Sequence, residues 1–216
     1  AAESTYVHRA HAISDFITVV GVRELHPTRI MNDADSRRTH PTFFGGIIPN
    51  VLAYACDDTA SVFYKTTIHL REPGPGEIYF EVKYAGICHS DIHSARGEWG
   101  PKKYPLVPGH EIAGIVTKVG EGVTKYKVGD KVGVGCMTNS CGTCEMCTSG
   151  YEQFCTGGQG RLPGNTLAYG LDADGNPTAG GYSQGFTVSE NFACRIPDEI
   201  PFEAAAPLLC AGITTY

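Results

Sequence analysis

Four cysteines within one short run constrain this chain more than any other feature. Cys141-Gly-Thr-Cys144-Glu-Met-Cys147, closed by Cys155, spaces its thiols as C-x2-C-x2-C-x7-C. Two-residue spacers turn consecutive sulfurs onto one point, where a tetrahedral metal ion accepts four thiolates. Glycines interleaved with the thiols, Gly142 and Gly150 among them, let the backbone wrap that point. Four unconnected buried thiols are the alternative without function. An iron–sulfur cluster competes for such a run, but here the fourth cysteine comes late, precedes Thr156 rather than proline, and has no second cysteine set beside it. The spacing favours Zn2+, and a shell closed by four protein ligands makes that zinc structural.

Any catalytic chemistry must then lie elsewhere, and three further segments carry it: Gly86-Ile-Cys88-His89-Ser90-Asp91-Ile-His93, Gly109-His110-Glu111-Ile-Ala-Gly114, and Leu208-Leu209-Cys210-Ala211-Gly212. Taken singly, a cysteine at a strand end reads as a small core residue and a histidine as a hydrogen-bonded filler. Together with the four-thiol loop they carry a resemblance. The run GHEIAGIVTKVGEGV (109–123) is similar to the signature of zinc-containing medium-chain alcohol dehydrogenases. GICHSDIH, WGPKKYPLVPGHE, GDKVGVG, the thiol loop, GGYSQ and AAPLLCAGIT follow in the order of the cinnamyl-alcohol-dehydrogenase-like branch. The resemblance covers about residues 51–216.

That resemblance implies a catalytic zinc held by Cys88, His110 and Cys210, with Glu111 in reach as a fourth ligand when the open position is empty. It implies reversible hydride transfer between a primary alcohol, aromatic or aliphatic, and NADP(H), with zinc as Lewis acid. Ser90 and His93 are the expected proton relay, a role suited to an imidazole titrating near neutrality. His89, Ser90 and His93 fall on the cofactor side; His89 stands where many members have arginine. Asp91 is expected to orient His110 from behind, Trp99 to wall the substrate pocket, and Cys136 to line it, with Cys56 and Cys194 as buried filler. A second reading is a non-catalytic, zinc-stabilised structural or interaction subunit derived from such an enzyme.

From Val51 onward, short apolar stretches alternate with Gly and Pro. Ile78-Tyr-Phe-Glu-Val-Lys-Tyr-Ala85 puts Ile78, Phe80, Val82 and Tyr84 on one face. Strands are also expected at Ile112–Val119 and Asp130–Val134 and over Tyr182–Val188, with a hairpin turn at Asp172–Asn176. Pro201 opens a helical segment. The expected class is mainly β with a few helices, a partly open barrel that in the resembled family is the GroES-like catalytic domain. Its span is 51–210, with a structural-zinc loop at 136–160. Residues 1–50, with one strand-like piece at Phe16–Val22, read as an extension of unknown role, and 211–216 as the start of a link to a cofactor domain. No G-x-G-x-x-G between strand and helix occurs. The expectation is therefore a catalytic-domain portion without its Rossmann domain, inactive by itself.

A net charge of −6 without runs of like charge offers no footprint for nucleic acid, and no stretch approaches 18 apolar residues. Seven of the nine cysteines have metal-ligand or active-site context, and no secretory leader opens the sequence. A reducing compartment follows, expected to be the cytoplasm, or an organelle reached through the extension. The expected partners are a small alcohol or aldehyde and a second copy in a full-length homodimer, or a larger assembly under the second reading.

Overall fold

The computed structural model describes residues 46–157, 166, 167, 169 and 178–216. The strand-like piece at Phe16–Val22 and the turn at Asp172–Asn176 lie outside them. β1 (Ile47–Ala55) and β2 (Tyr64–Arg71) form an antiparallel pair. A five-stranded antiparallel sheet has the order β8-β3-β4-β5-β9, built from β3 (Glu77–Ala85), β4 (Ile112–Val119), β5 (Lys131–Val134), β8 (Gly185–Ser189) and β9 (Cys194–Arg195). β6 (Met137–Asn139) pairs with β7 (Thr166–Leu167). Short helices α1 (His89–Ala95), α2 (Glu145–Thr148), α3 (Phe202–Pro207) and α4 (Ile213–Thr215) complete the described elements, with a 3-10 turn at Glu152–Phe154 and a wide π-type turn at Leu208–Gly212 before α4. The mainly β expectation holds. β1 starts at Ile47, so the boundary drawn between residues 50 and 51 cuts a strand. Pro49, which has no amide hydrogen, and Asn50, at φ 56°, make a bulge there, whereas that boundary is drawn where the family resemblance begins.

Period-two alternation builds the core. Ile78, Phe80 and Val82 of β3 pack with Ile112 and Val116 of β4, Val132 and Val134 of β5, and Phe186 and Val188 of β8. Each such side chain contributes roughly 1.5–3 kcal/mol by leaving water. Tyr84 departs from the expected face: it is only partly buried, against Ala113, Ala205 and Ala206 where α3 covers the sheet. Tyr79, outside the set of residues read as one face, is also buried, and Gly185 leaves room for its phenol; a Cβ at Gly185 would meet the Tyr79 hydroxyl at 2.0 Å. Gly114 lets β4 lie close on β3, where a Cβ would meet the Glu81 carbonyl oxygen at 2.0 Å. The helix expected after Pro201 is α3, with the proline at its N-cap.

Register decides what meets at the sheet end. Ala85 pairs with Ile112, and the Gly86 N–H donates to the Glu111 carbonyl at 2.8 Å. The residues just beyond β3, leading to Cys88, therefore lie beside those just before β4, His110 and Glu111. α3 packs on β3 and β4 and delivers Cys210 to the same end. No helix among the described residues is long and apolar enough to cross a membrane.

Candidate metal centres

Two constellations result. In the first, ligand atoms of Cys141, Cys144, Cys147 and Cys155 all lie within 4.8 Å of one another. Cys141 Sγ and Cys147 Sγ are 3.8 Å apart, and a tetrahedral zinc with bonds of about 2.3 Å asks for sulfurs about 3.8 Å apart. Backbone N–H groups point at these sulfurs: Cys144 N–H at Cys141 Sγ (3.3 Å), Cys147 N–H at Cys144 Sγ (3.5 Å), Gly157 N–H at Cys155 Sγ (3.3 Å). Donors of this kind favour thiolate over thiol. The Cys147 N–H, then that of Thr156, push the Cys144 thiol down to about 5. Gly142 and Gly150 adopt φ of 67° and 80°, the left-handed turns by which the loop wraps. The donor set fits a closed tetrathiolate site.

The second constellation joins Cys88, His110, Glu111 and Cys210, again with ligand atoms within 4.8 Å. Cys88 Sγ and Cys210 Sγ stand 4.0 Å apart across 122 residues of sequence. His110 and Glu111 are almost wholly buried, Cys88 and Cys210 only partly, so the cluster opens on one side. The Glu111 carboxylate accepts the Ala211 N–H at 3.1 Å and so moors the Cys210 segment. Burial first, then the neighbouring Cys88 charge, raise the Cys210 thiol. Burial also raises Cys88, but hydrogen bonds from Ser90 and the His110 ring outweigh it and bring that thiol down. Two thiolates at this separation repel; a divalent cation between them removes the repulsion. Burial also raises the Glu111 carboxyl. The set fits a metal ion with one open face.

Asp91 stands behind this cluster, as expected for an orienting carboxylate. Its Oδ1 meets His110 Nδ1 at 2.9 Å and the Gly109 N–H at 3.0 Å; its Oδ2 accepts the Cys88 N–H at 3.2 Å. With Nδ1 engaged, Nε2 is the ring nitrogen left for a metal. Burial lowers the His110 pKa, but the hydrogen bond and charge of Asp91 hold it above its ordinary value.

The relay candidates lie on α1. Ser90 Oγ is 3.5 Å from Cys88 Sγ, at the rim of the cluster. His89 and His93 face each other edge-on, ring centroids 4.5 Å apart. His93 Nδ1 pairs with the Glu98 carboxylate, and Trp99 stacks on the His93 ring at 4.8 Å. Trp99, at 60% exposure, belongs to the open rim rather than to an enclosed wall. Cys56 is buried as expected, whereas Cys136 and Cys194 are exposed. Cys194 is thus no filler: it begins a two-residue edge strand with both side chains toward solvent. Tyr169 and Tyr182, whose hydroxyls approach His110 Nδ1 and Asp91 at 3.3 and 3.2 Å, had no role in the sequence reading. Only the GGYSQ motif could have pointed to Tyr182.

Residues 74–198 match the alcohol dehydrogenase GroES-like domain. The chain belongs to this family. It is 56% identical over 167 residues to NADP-dependent alcohol dehydrogenase C 1 of Mycolicibacterium smegmatis, an alignment covering 77% of this chain and 46% of that protein. To cinnamyl alcohol dehydrogenase 8 of Arabidopsis thaliana it is 49% identical over 163 residues, covering 75% and 44%. Among solved structures, the CAD from Helicobacter pylori complexed with NADP(H) superposes with a TM-score of 0.71 at 44% identity, over 78% of this chain and 48% of that one. The chain therefore spans about half the length of the curated relatives it matches. In this GroES-like domain the thiol loop forms a lobe of its own, and the open cluster sits at the sheet end under α3.

Proposed function

We propose that this GroES-like domain is the catalytic part of a zinc-dependent alcohol dehydrogenase that moves a hydride between a primary alcohol and NADP(H). The observation carrying this reading is the convergence of Cys88, His110, Cys210 and Glu111 from three distant segments on one point open to a side. Relatives named as NADP-dependent alcohol dehydrogenases and cinnamyl alcohol dehydrogenases support it. Cys88, His110 and Cys210 would hold the catalytic zinc, with Glu111 as a reserve ligand, and Cys141, Cys144, Cys147 and Cys155 the structural one. When bound at the open site, zinc supplies Lewis acidity.

The chain's own residues do the rest. Asp91 fixes the His110 tautomer by accepting its Nδ1–H. Ser90, at the rim beside Cys88, takes the substrate hydroxyl proton, and His93, one turn further along α1, receives it with its imidazole held by Glu98. His89 and His93 flank the cofactor approach, and Trp99 offers an exposed aromatic face to an aromatic or aliphatic aldehyde.

The test is NADPH-dependent reduction of cinnamaldehyde by the intact protein. Cys88→Ala and His110→Ala should abolish it. Ser90→Ala should lower turnover by about 10^2 while zinc content is unchanged, because a proton path rather than a ligand is removed. An inactive intact protein carrying zinc at both sites would instead favour a structural subunit.

A further inference from the structure

We infer that Tyr182 is a positioning residue of the open metal cluster, acting through Asp91 to hold Cys88 and His110 in one geometry. The inference rests on the zinc reading above and adds to it a residue whose hydroxyl hydrogen bond goes to Asp91.

The Tyr182 hydroxyl donates to Asp91 Oδ2 at 3.2 Å, the same oxygen that accepts the Cys88 N–H. Asp91 Oδ1 meanwhile serves His110 and Gly109. One carboxylate thus ties together the two segments that bring ligands, and Tyr182 fixes that carboxylate from the third side. Both partners are almost completely buried, Tyr182 at 3% and Asp91 at 2% exposure, so no water competes for the bond. Burial first, then the Asp91 charge, drive the Tyr182 phenol far above its ordinary pKa. The group therefore remains a donor at any pH the protein meets.

The backbone gives Tyr182 its leverage. Gly180 N–H donates to the Val107 carbonyl (2.7 Å), Gly181 N–H to Gly109 (2.9 Å) and Tyr182 N–H to Pro108 (2.9 Å). The Tyr182 carbonyl in turn accepts the Tyr54 N–H from β1 at 2.8 Å. Close approach is built in: a Cβ on Gly180 would meet the Pro108 carbonyl oxygen at 2.4 Å, and one on Gly109 would meet the Tyr182 ring at 2.7 Å. The Gly180-Gly181-Tyr182 segment is laced to residues 107–109, which lead into His110, and Phe63 packs edge-on against the phenol, centroids 6.2 Å apart. The phenol oxygen is thus held beside Asp91 by a backbone that is itself bonded to the residues before His110. Partners one shell behind a metal ligand change affinity by roughly 10–100-fold when lost. Tyr182 stands one bond further back, so its share is toward the lower end.

Tyr182→Phe keeps the ring and removes only the donor. In the intact protein, chelator competition with 4-(2-pyridylazo)resorcinol reads both zinc sites, and the visible spectrum after cobalt substitution reads ligand geometry. Zinc affinity at the open cluster should fall about tenfold, with a shifted cobalt spectrum and an unchanged thiol-loop zinc. Combined with Asp91→Asn, the loss should be less than additive, since one path is broken twice. Unchanged affinity and spectrum, additive losses, or equal loss of the thiol-loop zinc (the mark of a general folding defect) would each overturn the inference. A wild-type protein with no zinc at Cys88, His110 and Cys210 would instead sink the underlying zinc reading.

Discussion

Gly86 shows how tightly the open cluster is framed. A Cβ there would lie 2.0 Å from a Glu111 carboxylate oxygen, the side chain whose other oxygen moors Ala211. Gly86→Ala must therefore displace Glu111, and urea denaturation should show a loss of about 1–3 kcal/mol, the usual cost of overpacking. Asp91→Asn keeps the shape but loses the charge that accepts the His110 proton; zinc affinity at the cluster should fall roughly 10–100-fold, measurable by chelator competition. The thiol loop was legible in sequence because a four-thiolate site demands particular side chains at particular spacings, whereas Cys88, His110, Glu111 and Cys210, far apart in the chain, were reached only through the family resemblance. Tyr182 was not legible, since a phenol acting through a carboxylate has no required spacing from its partner. Cys194 was misread because burial of a lone thiol depends on what covers its strand, and both residues of β9 are exposed.

At the scale of elements, the sequence located β3 within one residue by its alternation and β4 to the residue as a short apolar run between glycine-bearing segments. Bulges and edges escaped that logic, as β1 did at Pro49 and Asn50. One junction ties three strands: Asp130, just before β5, accepts from Lys127 Nζ at 2.6 Å and pairs with Arg195 of β9 at 3.3 Å, while its carbonyl accepts the Val116 N–H of β4. The Lys127 hydrogen bond, aided by the nearby cationic charges, holds the Asp130 carboxyl below its ordinary range. A depressed folded-state pKa gives stability that is present above the unfolded value of about 4 and is lost as pH falls through the folded one. Asp130→Asn should therefore be less stable than wild type at neutral pH, with the gap closing on acidification. Denaturation series across pH 2–7 would check this, and a gap that is constant with pH would contradict it.

Over the whole molecule, the thiol loop and the sheet are separate packing units. Cys144, Cys147 and Cys155 cluster with Cys141 and Met146, apart from the Ile78–Val188 core. Stripping metal from the four thiols should thus raise amide exchange across residues 137–157 while the amides of β3 and β4 keep their protection, as expected when local opening follows local contacts. Collapse of protection throughout would show the two to be one cooperative unit. The same layout sets a timetable for metal acquisition. In the thiol loop Cys155 follows Cys141 by 14 positions, whereas Cys210 follows Cys88 by 122. A chain emerging from the ribosome can close its loop on zinc as soon as Cys155 is free, when the open cluster still lacks a ligand. Closing a short loop is also the faster event. Were both clusters to take zinc as proposed, the loop would capture its ion first, and the open cluster would be completed only after Cys210 arrives.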